Sequence, residues 1–199
     1  GFFTSHHAYV LSTLINTIEN LEAQIETITR TLRSMMKDHD TQIARLDKIP
    51  GINEVGAMGI LSQLGIALSA FLDAASFCSW QGLCPGNNES AGKRHSGKPV
   101  VRKHPLKTLF IELAWTAIKK KGSYYKDKFH RLKARRGAKR AITAIAHKLA
   151  KTVYYVLNNG EDYRELGEGY LEHRNQSAKL KRLHAQEKSL GYILIHFPC

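Results

Sequence analysis

Residues 82–98 read GLCPGNNESAGKRHSGK and interrupt a chain whose apolar residues otherwise follow a helical repeat. Prolines and glycines in this stretch break both the helical and the strand repeat, and the Asn87-Asn88 pair favours turns. No apolar run follows before Leu106. The sequence therefore predicts a loop of about twenty residues, with neither helix nor strand in it, of a length that compact domains make mainly for function or as disorder.

The chemistry of this loop indicates a function. A small hydroxyl, Ser90, lies close in sequence to three cations, Lys93, Arg94 and Lys98. Glycines let a ligand approach the backbone, and a hydroxyl among cations suits nucleophilic attack on a phosphodiester. The alternative is that Ser90 is a turn or capping residue, the commoner role of serine in an Asn/Gly-rich loop.

The overall charge points to a polyanionic partner. The 199 residues include 30 Lys and Arg against 17 Asp and Glu, giving a formal net charge of +13 and a pI near 9.8. Such an excess favours nucleic acid before a membrane surface. We find no bilayer-spanning segment and no signal peptide, and the three cysteines lack a disulfide or zinc spacing, so we expect free thiols in a reducing cytoplasm and no metal site in this chain.

The N-terminal region predicts one long helix, from about Ser5 to Lys37. Its apolar residues alternate steps of three and four, which is the seam of a coiled coil. We expect residues 1–40 to form a dimerisation unit that makes a homo-oligomer, while an antiparallel pairing within the chain stays open. The seam consists of Leu11, Leu14, Ile18, Leu21, Ile25, Ile28, Leu32 and Met35.

Residues 41–65 resemble a helix-hairpin-helix, in which the backbone of a tight turn faces a phosphate. Gly51 fits the position that needs a positive φ, and Asn53 stands where a second glycine is usual. The following helix would offer its N-terminus to the same phosphate. The alternative is an ordinary helical hairpin, which Glu54 favours because its charge opposes phosphate binding.

The remaining periodicity predicts an all-α domain over residues 41–199. Helices are expected at 71–80, with Phe71, Leu72, Phe77 and Trp80 buried, and at 105–121, 124–136, 138–157 and 169–188. Glycines at 122, 137 and 160 end three of them. The predicted fold is thus a long coiled-coil helix followed by a compact helical domain with a long functional loop, residues 82–104.

Basic residues crowd the region from Lys93 to Lys151, where only Glu112 and Asp127 oppose them. A solvated helix face normally mixes both signs, so this region predicts a nucleic-acid surface. Tyr124 and Tyr125 interleave with the charges and suit either base stacking or core packing. The residues that we expect to contact nucleic acid are Gly51, Asn53, Asn87, Gly92, Lys93, Arg94, Lys98, Arg135, Arg136, Lys139 and Arg140.

Several motifs, in order, resemble the DEDD transposases of insertion-sequence family 110, also called bridge-RNA-guided recombinases. The most specific is residues 80–94, WQGLCPGNNESAGKR, which is similar to the family signature GL-x-P-x4-S-x-GK. Ile49-Pro50-Gly51-Ile52 before it and residues 135–141, RRGAKRA, after it also match. The likeness extends over nearly the whole chain.

The resemblance implies a transposase with an N-terminal RNase H-like domain, whose four acidic residues bind magnesium, then a coiled coil and a helical domain with a catalytic serine. Ser90 corresponds to that serine, which attacks DNA and forms a covalent phosphoserine link. A structured guide RNA pairs with donor and target DNA. This chain starts at the coiled coil, so we expect it to be the C-terminal part, without a cofactor of its own.

The sequence is thus compatible with two functions. The first is the C-terminal half of a DNA recombinase with a serine nucleophile, RNA-guided by resemblance and located in a bacterial or archaeal cytoplasm at the nucleoid. The second is a non-catalytic nucleic-acid-binding dimer, or a degenerate transposase remnant. Ser90 with Lys93 and Arg94 favours the first, and the absence of the acidic domain from this chain favours the second.

Overall fold

The structure is a computed structural model that describes residues 2–64, 68–86, 88–90, 93–96 and 103–190. Helices dominate these residues, which confirms the prediction of an all-α fold. Single turns of 3-10 helix lie at Lys37–His39 and Leu68–Ala70. The α-helices are α1 (Ser5–Met35), α2 (Asp40–Asp47), α3 (Glu54–Leu64), α4 (Ala74–Trp80), α5 (Pro105–Ala117), α6 (Tyr124–Arg136), α7 (Ala138–Asn159) and α8 (Tyr170–Leu190).

The central helix is α7, which packs against α2, α4, α5 and α6. Apolar residues recur along it every three or four positions, and Ile145, Leu149 and Val153 on this face have no exposed surface. Fully burying such a side chain stabilises the fold by about 1.5–3 kcal/mol. Gly160 ends the helix in the left-handed conformation, with φ 68°, as the sequence predicts.

The helix before the loop begins later than predicted, at Ala74. Asp73 caps it: its carboxylate accepts the Ser76 N–H at 2.7 Å, and the Ser76 hydroxyl accepts the Asp73 N–H at 3.1 Å. This cap places Leu72 outside the helix, where it is 97% exposed, so its predicted burial is wrong. Phe77 is fully buried as predicted, while Trp80 is 38% exposed.

The prediction that residues 82–98 hold no strand is wrong, because a short antiparallel hairpin forms there. Its strands are β1 (Asn88–Ser90) and β2 (Lys93–Ser96). The proline and glycines that break a strand repeat lie before, between or after the two strands, never inside one. Strands of three and four residues fit between these breakers, and the composition of the whole stretch conceals them.

The long helix α1 lies outside the core and buries none of its residues. Among the described residues its main contacts are with α3 and with the 3-10 turn that follows it, and Arg33 forms an ion pair with Glu54 of α3. The eight apolar seam residues are each between 41 and 77% exposed. The helix forms as predicted, whereas its pairing with a second helix stays a prediction.

The turn between α2 and α3 holds Gly51 at φ 87°, so the predicted positive φ is confirmed. This glycine lies against α5, because a Cβ built on it meets the backbone nitrogen of Ala117 at 2.3 Å. Only a residue without a side chain allows the turn and α5 to approach so closely. The two helices and the turn thus form a tightly packed hairpin, whose phosphate-binding role stays a prediction.

We expect Gly51→Ala to lower the free energy of unfolding by about 3 kcal/mol or more, since it adds left-handed backbone strain to a backbone clash. Gly122→Ala is the matched control, because Gly122 has φ 69° and nothing within 4 Å of a built Cβ. It should cost only the strain of the backbone, about 1 kcal/mol. Urea unfolding of both variants measures the difference, and equal losses would contradict the packing role of Gly51.

Candidate nucleic-acid interface

The loop that carries Ser90 starts and ends at the same place. Trp80, the last residue of α4, contacts His104, which caps α5, with ring centroids 4.2 Å apart and an interplanar angle of 66°. His104 Nδ1 accepts the Leu106 N–H at 3.2 Å, and Pro105 opens the helix. The base of the loop is therefore closed by two aromatic side chains that belong to well-formed helix ends.

The first residues of the loop are anchored in the core. Gln81 and Leu83 are almost fully buried, and the Leu83 N–H donates to the Cys78 carbonyl at 3.0 Å. Gly82 between them has φ 73° and donates to the Ser79 carbonyl at 2.9 Å. These contacts fix the path of the chain as it leaves α4.

Cys84 joins the loop base to α7. Its Sγ lies 3.7 Å from His147 Nε2 and also 3.7 Å from the Ala75 carbonyl. Burial raises the pKa of the Cys84 thiol, and burial together with Lys151 lowers the pKa of His147. Both groups are therefore neutral at physiological pH, and Cys84 is a poor nucleophile beside the serine.

The hairpin brings Ser90 opposite one of the predicted cations. In its register Ser90 pairs with Lys93 and Glu89 pairs with Arg94. Ser90 is the last residue of β1 and Lys93 the first of β2, so both lie at the tip. Three other predicted contact residues, Asn87, Gly92 and Lys98, lie outside the described residues.

A second group of predicted residues meets where α6 ends and α7 begins. The two helices share Gly137 as their only link, at φ 77° and ψ 163°. This corner carries five exposed cations, which we call the cationic corner: Lys133, Arg135, Arg136, Lys139 and Arg140. Within the part of the chain that the structure describes, none of the five forms an ion pair.

The electrostatics of this corner differ for its two helices. Cations at the C-terminus of α6 are favoured by the helix dipole, but Lys139 and Arg140 sit in the first turn of α7, where the dipole is positive. That first turn has no acidic residue and no side-chain cap on Gly137. Its N–H groups and the surrounding cations together suit an anion such as a phosphate.

The other predicted contact site, in the α2–α3 turn, is less open to a phosphate. Asn53 Oδ1 accepts the Gly56 N–H at 2.9 Å and so caps α3 itself. Glu54 adds a negative charge beside it, paired with Arg33. Gly51 packs on α5, as described above. The structure thus brings Arg135, Arg136, Lys139 and Arg140 together, and gives Gly51 and Asn53 packing and capping contacts.

Sequence patterns miss the segment after α7, residues 160–169, because it has no apolar repeat. Glu165 in this segment accepts the N–H of Tyr124 and that of Gly167, each at 3.0 Å, so it caps α6 from far along the chain. The only signal in the sequence is the spacing of the glycines at 160, 167 and 169. Tyr124 and Tyr125 are buried, which settles their role as core residues.

A metal-binding cluster and a membrane-spanning helix are both absent among the described residues. No three His, Cys, Asp or Glu side chains there converge closely enough to hold a metal ion. In the same residues, no helix combines the length and the apolar character needed to cross a membrane.

Comparison with known proteins finds two similarities to transposases. The profile of the family described as "Transposase IS116/IS110/IS902 family" matches residues 43–131, a little under half of the chain, from α2 into α6. A relative from Sinorhizobium fredii, named "Putative transposase y4pF/y4sB", is 25% identical over 152 residues, which are 73% of this chain and 38% of that protein. The chain thus spans well under half of that relative's length. Over these regions the chain is similar to this transposase family and to that putative transposase.

Proposed function

We propose that this chain is the C-terminal part of a DNA transposase that binds nucleic acid through the cationic corner and rejoins DNA through Ser90. The observation that carries the proposal is the cationic corner, since its position at an uncapped helix N-terminus matches what phosphate binding requires. The family match supports the same function and includes Ser90.

The cationic corner suits the backbone of nucleic acid because its charge has no partner within the described residues. Lys139 and Arg140 oppose the dipole of α7, an arrangement that destabilises the free helix end and favours a bound anion. Contacts of this kind position a duplex without reading its sequence. The corner therefore supplies affinity, and the choice of DNA site comes from elsewhere.

We propose that Ser90 is the nucleophile and that Lys93 assists it. In the reaction the Ser90 oxygen forms a bond to phosphorus, the bond from phosphorus to one bridging oxygen breaks, and the hydroxyl proton passes to a base. The register that pairs Ser90 with Lys93 supports a role for this lysine beside the charged phosphate. Burial raises the pKa of the Cys84 thiol at the loop base, so Cys84 stays neutral and does not compete with Ser90 as the nucleophile.

We propose that α1 pairs with α1 of a second copy. Its exposed apolar seam supports this, because eight apolar side chains left in water along one helix of 31 residues are costly. Isoleucine at positions 18 and 25 alternates with leucine at 14 and 21, and β-branched residues at the first seam position with leucine at the second favour two parallel strands. The dimer would place two Ser90 loops in one assembly.

We further propose that the guide RNA and the magnesium-binding acidic domain implied by the family resemblance act together with this chain. The relative that it matches is much longer than the matched region, which leaves space in that protein for another domain. The described residues of this chain offer no metal cluster of their own. This chain then contributes phosphate contacts, the serine and dimerisation.

We expect Lys139→Gln with Arg140→Gln to weaken binding of a short DNA duplex and to flatten its salt dependence. Each phosphate contact releases counterions and adds about 0.9 to the slope of log affinity against log salt, so losing two should reduce that slope by ~2. Fluorescence anisotropy at several salt concentrations measures both quantities.

The control for this experiment is Lys179→Gln with Arg182→Gln, which removes the same charge from exposed positions of another helix, α8. This pair should stay near the wild-type slope. Equal losses in both pairs would mean that net charge, and not the cationic corner, determines binding.

A further inference from the structure

A cavity of about 270 Å³ lies between the C-terminal half of α7 and the segment of residues 160–169. Four tyrosines and two cations line it, and two carboxylates, Glu161 and Asp162, lie among the remaining lining residues. Among the lining residues are Tyr125, Tyr155, Tyr163, Lys148 and Arg164. We call it the tyrosine pocket.

The outer wall of the tyrosine pocket is held firmly in place. Asp162 forms an ion pair with Lys48 of α2 at 2.5 Å, and the Tyr163 ring stacks on Tyr125 with centroids 6.4 Å apart and an angle of 19°. Further along, the Glu168 N–H donates to the Gly122 carbonyl at 2.9 Å. With the Glu165 cap on α6, these contacts fix the segment at several points. The cavity between this segment and α7 is therefore defined by the fold.

Three of the lining residues, Tyr155, Lys148 and Arg164, are at least partly exposed to solvent. Tyr155 is 52% exposed, although its ring belongs to the cavity lining. Lys148 is half-buried and Arg164 exposed, and the side chain of neither forms a hydrogen bond or ion pair with a described residue. The nearby Asp162 carboxylate is already engaged by Lys48.

An accessible aromatic ring beside two unpaired cations is complementary to a planar aromatic group that carries a phosphate. The cavity is at the lower limit of small-molecule pockets, which begin at about 300 Å³, so it suits one base and not a stacked run. Bases in a duplex are stacked and their faces are covered. An unpaired nucleotide presents a free face that tyrosine binds well.

We propose that the tyrosine pocket binds one unpaired nucleobase of a single strand, with the base on Tyr155 and its phosphate on Lys148 and Arg164. The proposal rests on the proposed function in one respect, that the chain binds nucleic acid. It adds a second site, distinct from the cationic corner, that distinguishes unpaired strands from duplex.

The test uses the full chain and three probes of one sequence: single-stranded DNA, single-stranded RNA and the DNA duplex. A 2-aminopurine in the single strands reports stacking on the ring. We expect Tyr155→Ala to weaken single-strand binding about tenfold and to abolish the fluorescence change, because stacking of one base contributes about that much. Duplex binding should stay within about twofold.

Two further variants sharpen the test. Tyr155→Phe keeps the ring and should retain both affinity and the fluorescence change. Tyr9→Ala on α1 removes another exposed tyrosine, 70% exposed and outside the cavity, and should change nothing. Which single strand binds more tightly identifies whether the natural ligand is DNA or RNA, and a preference of either kind over duplex supports the pocket.

The outcomes separate the two proposals. If the wild-type chain binds none of the probes, the proposed function fails. If it binds them but Tyr155→Ala matches wild type, or loses duplex and single strand equally, the tyrosine pocket is overturned while the cationic corner stands.

Discussion

Replacing Ser90 by alanine abolishes strand transfer by the full-length transposase while leaving duplex binding at the wild-type level. The expected loss is on the order of 10⁴-fold or more, because no other group at the loop can form the covalent bond to phosphorus. Folding should be unaffected to within about 0.5 kcal/mol, as for a surface substitution that removes no cap. Recombination in cells and a denaturing gel for the protein–DNA adduct measure the loss.

The matched control is Ser96→Ala, which removes a hydroxyl from β2 of the same hairpin. It should leave both recombination and the adduct intact. Ser90→Cys should retain at most a trace, because a thiolate attacks phosphorus poorly. Normal recombination by Ser90→Ala would refute the nucleophile and return Ser90 to the role of a turn residue.

Placing aspartate at Ile18 and Ile25 should convert the proposed dimer of this chain to monomers. Both side chains lie on the seam of α1, more than half exposed in the single chain, and pairing with a second copy would bury them. A carboxylate in such a seam costs on the order of several kcal/mol, and each dimer would hold four. Sedimentation velocity over a range of concentrations measures the change in mass.

Asn20→Asp with Thr27→Asp is the control, since it adds the same charge two positions further along, on the outer face of the helix. This variant should remain dimeric. A dimer that survives aspartate at Ile18 and Ile25 would exclude the seam as the interface, and dissociation of both variants would point to net charge instead.

Helix limits were predictable where a glycine directly follows the helix, at Gly137 and Gly160, whereas the predicted stop at Gly122 is wrong because α5 ends at Ala117. The predicted limits of 124–136 are those of α6, and α7 runs two residues beyond its predicted end at 157. Gly137 and Gly160 hold positive φ at these ends, so a local conformational requirement marks each boundary in the sequence. α5 ends at Ala117, with Ile118 as its C-cap. It therefore stops before the lysines at 119–121, which the prediction included in the helix.

The candidate site was only partly predictable. Arg135, Arg136, Lys139 and Arg140 are neighbours in sequence, so their meeting at one corner follows from a single glycine link. The closure of the loop by Trp80 and His104, and the tyrosine pocket with its wall around Tyr163, join residues far apart in the chain. Such contacts depend on tertiary packing, which no local repeat encodes.

The contact between Trp80 and His104 at the base of the loop affects which insertions and deletions the fold can tolerate. Because the two side chains touch, residues 85–103 leave and re-enter the helical domain at one point. The entropic free-energy cost of closing a loop grows only slowly with its length. The helical domain therefore tolerates lengthening, shortening or replacement of this insert. We expect a copy that loses the insert to keep its fold and its cationic corner, so that the proposed chemistry and the proposed binding can be lost or exchanged independently.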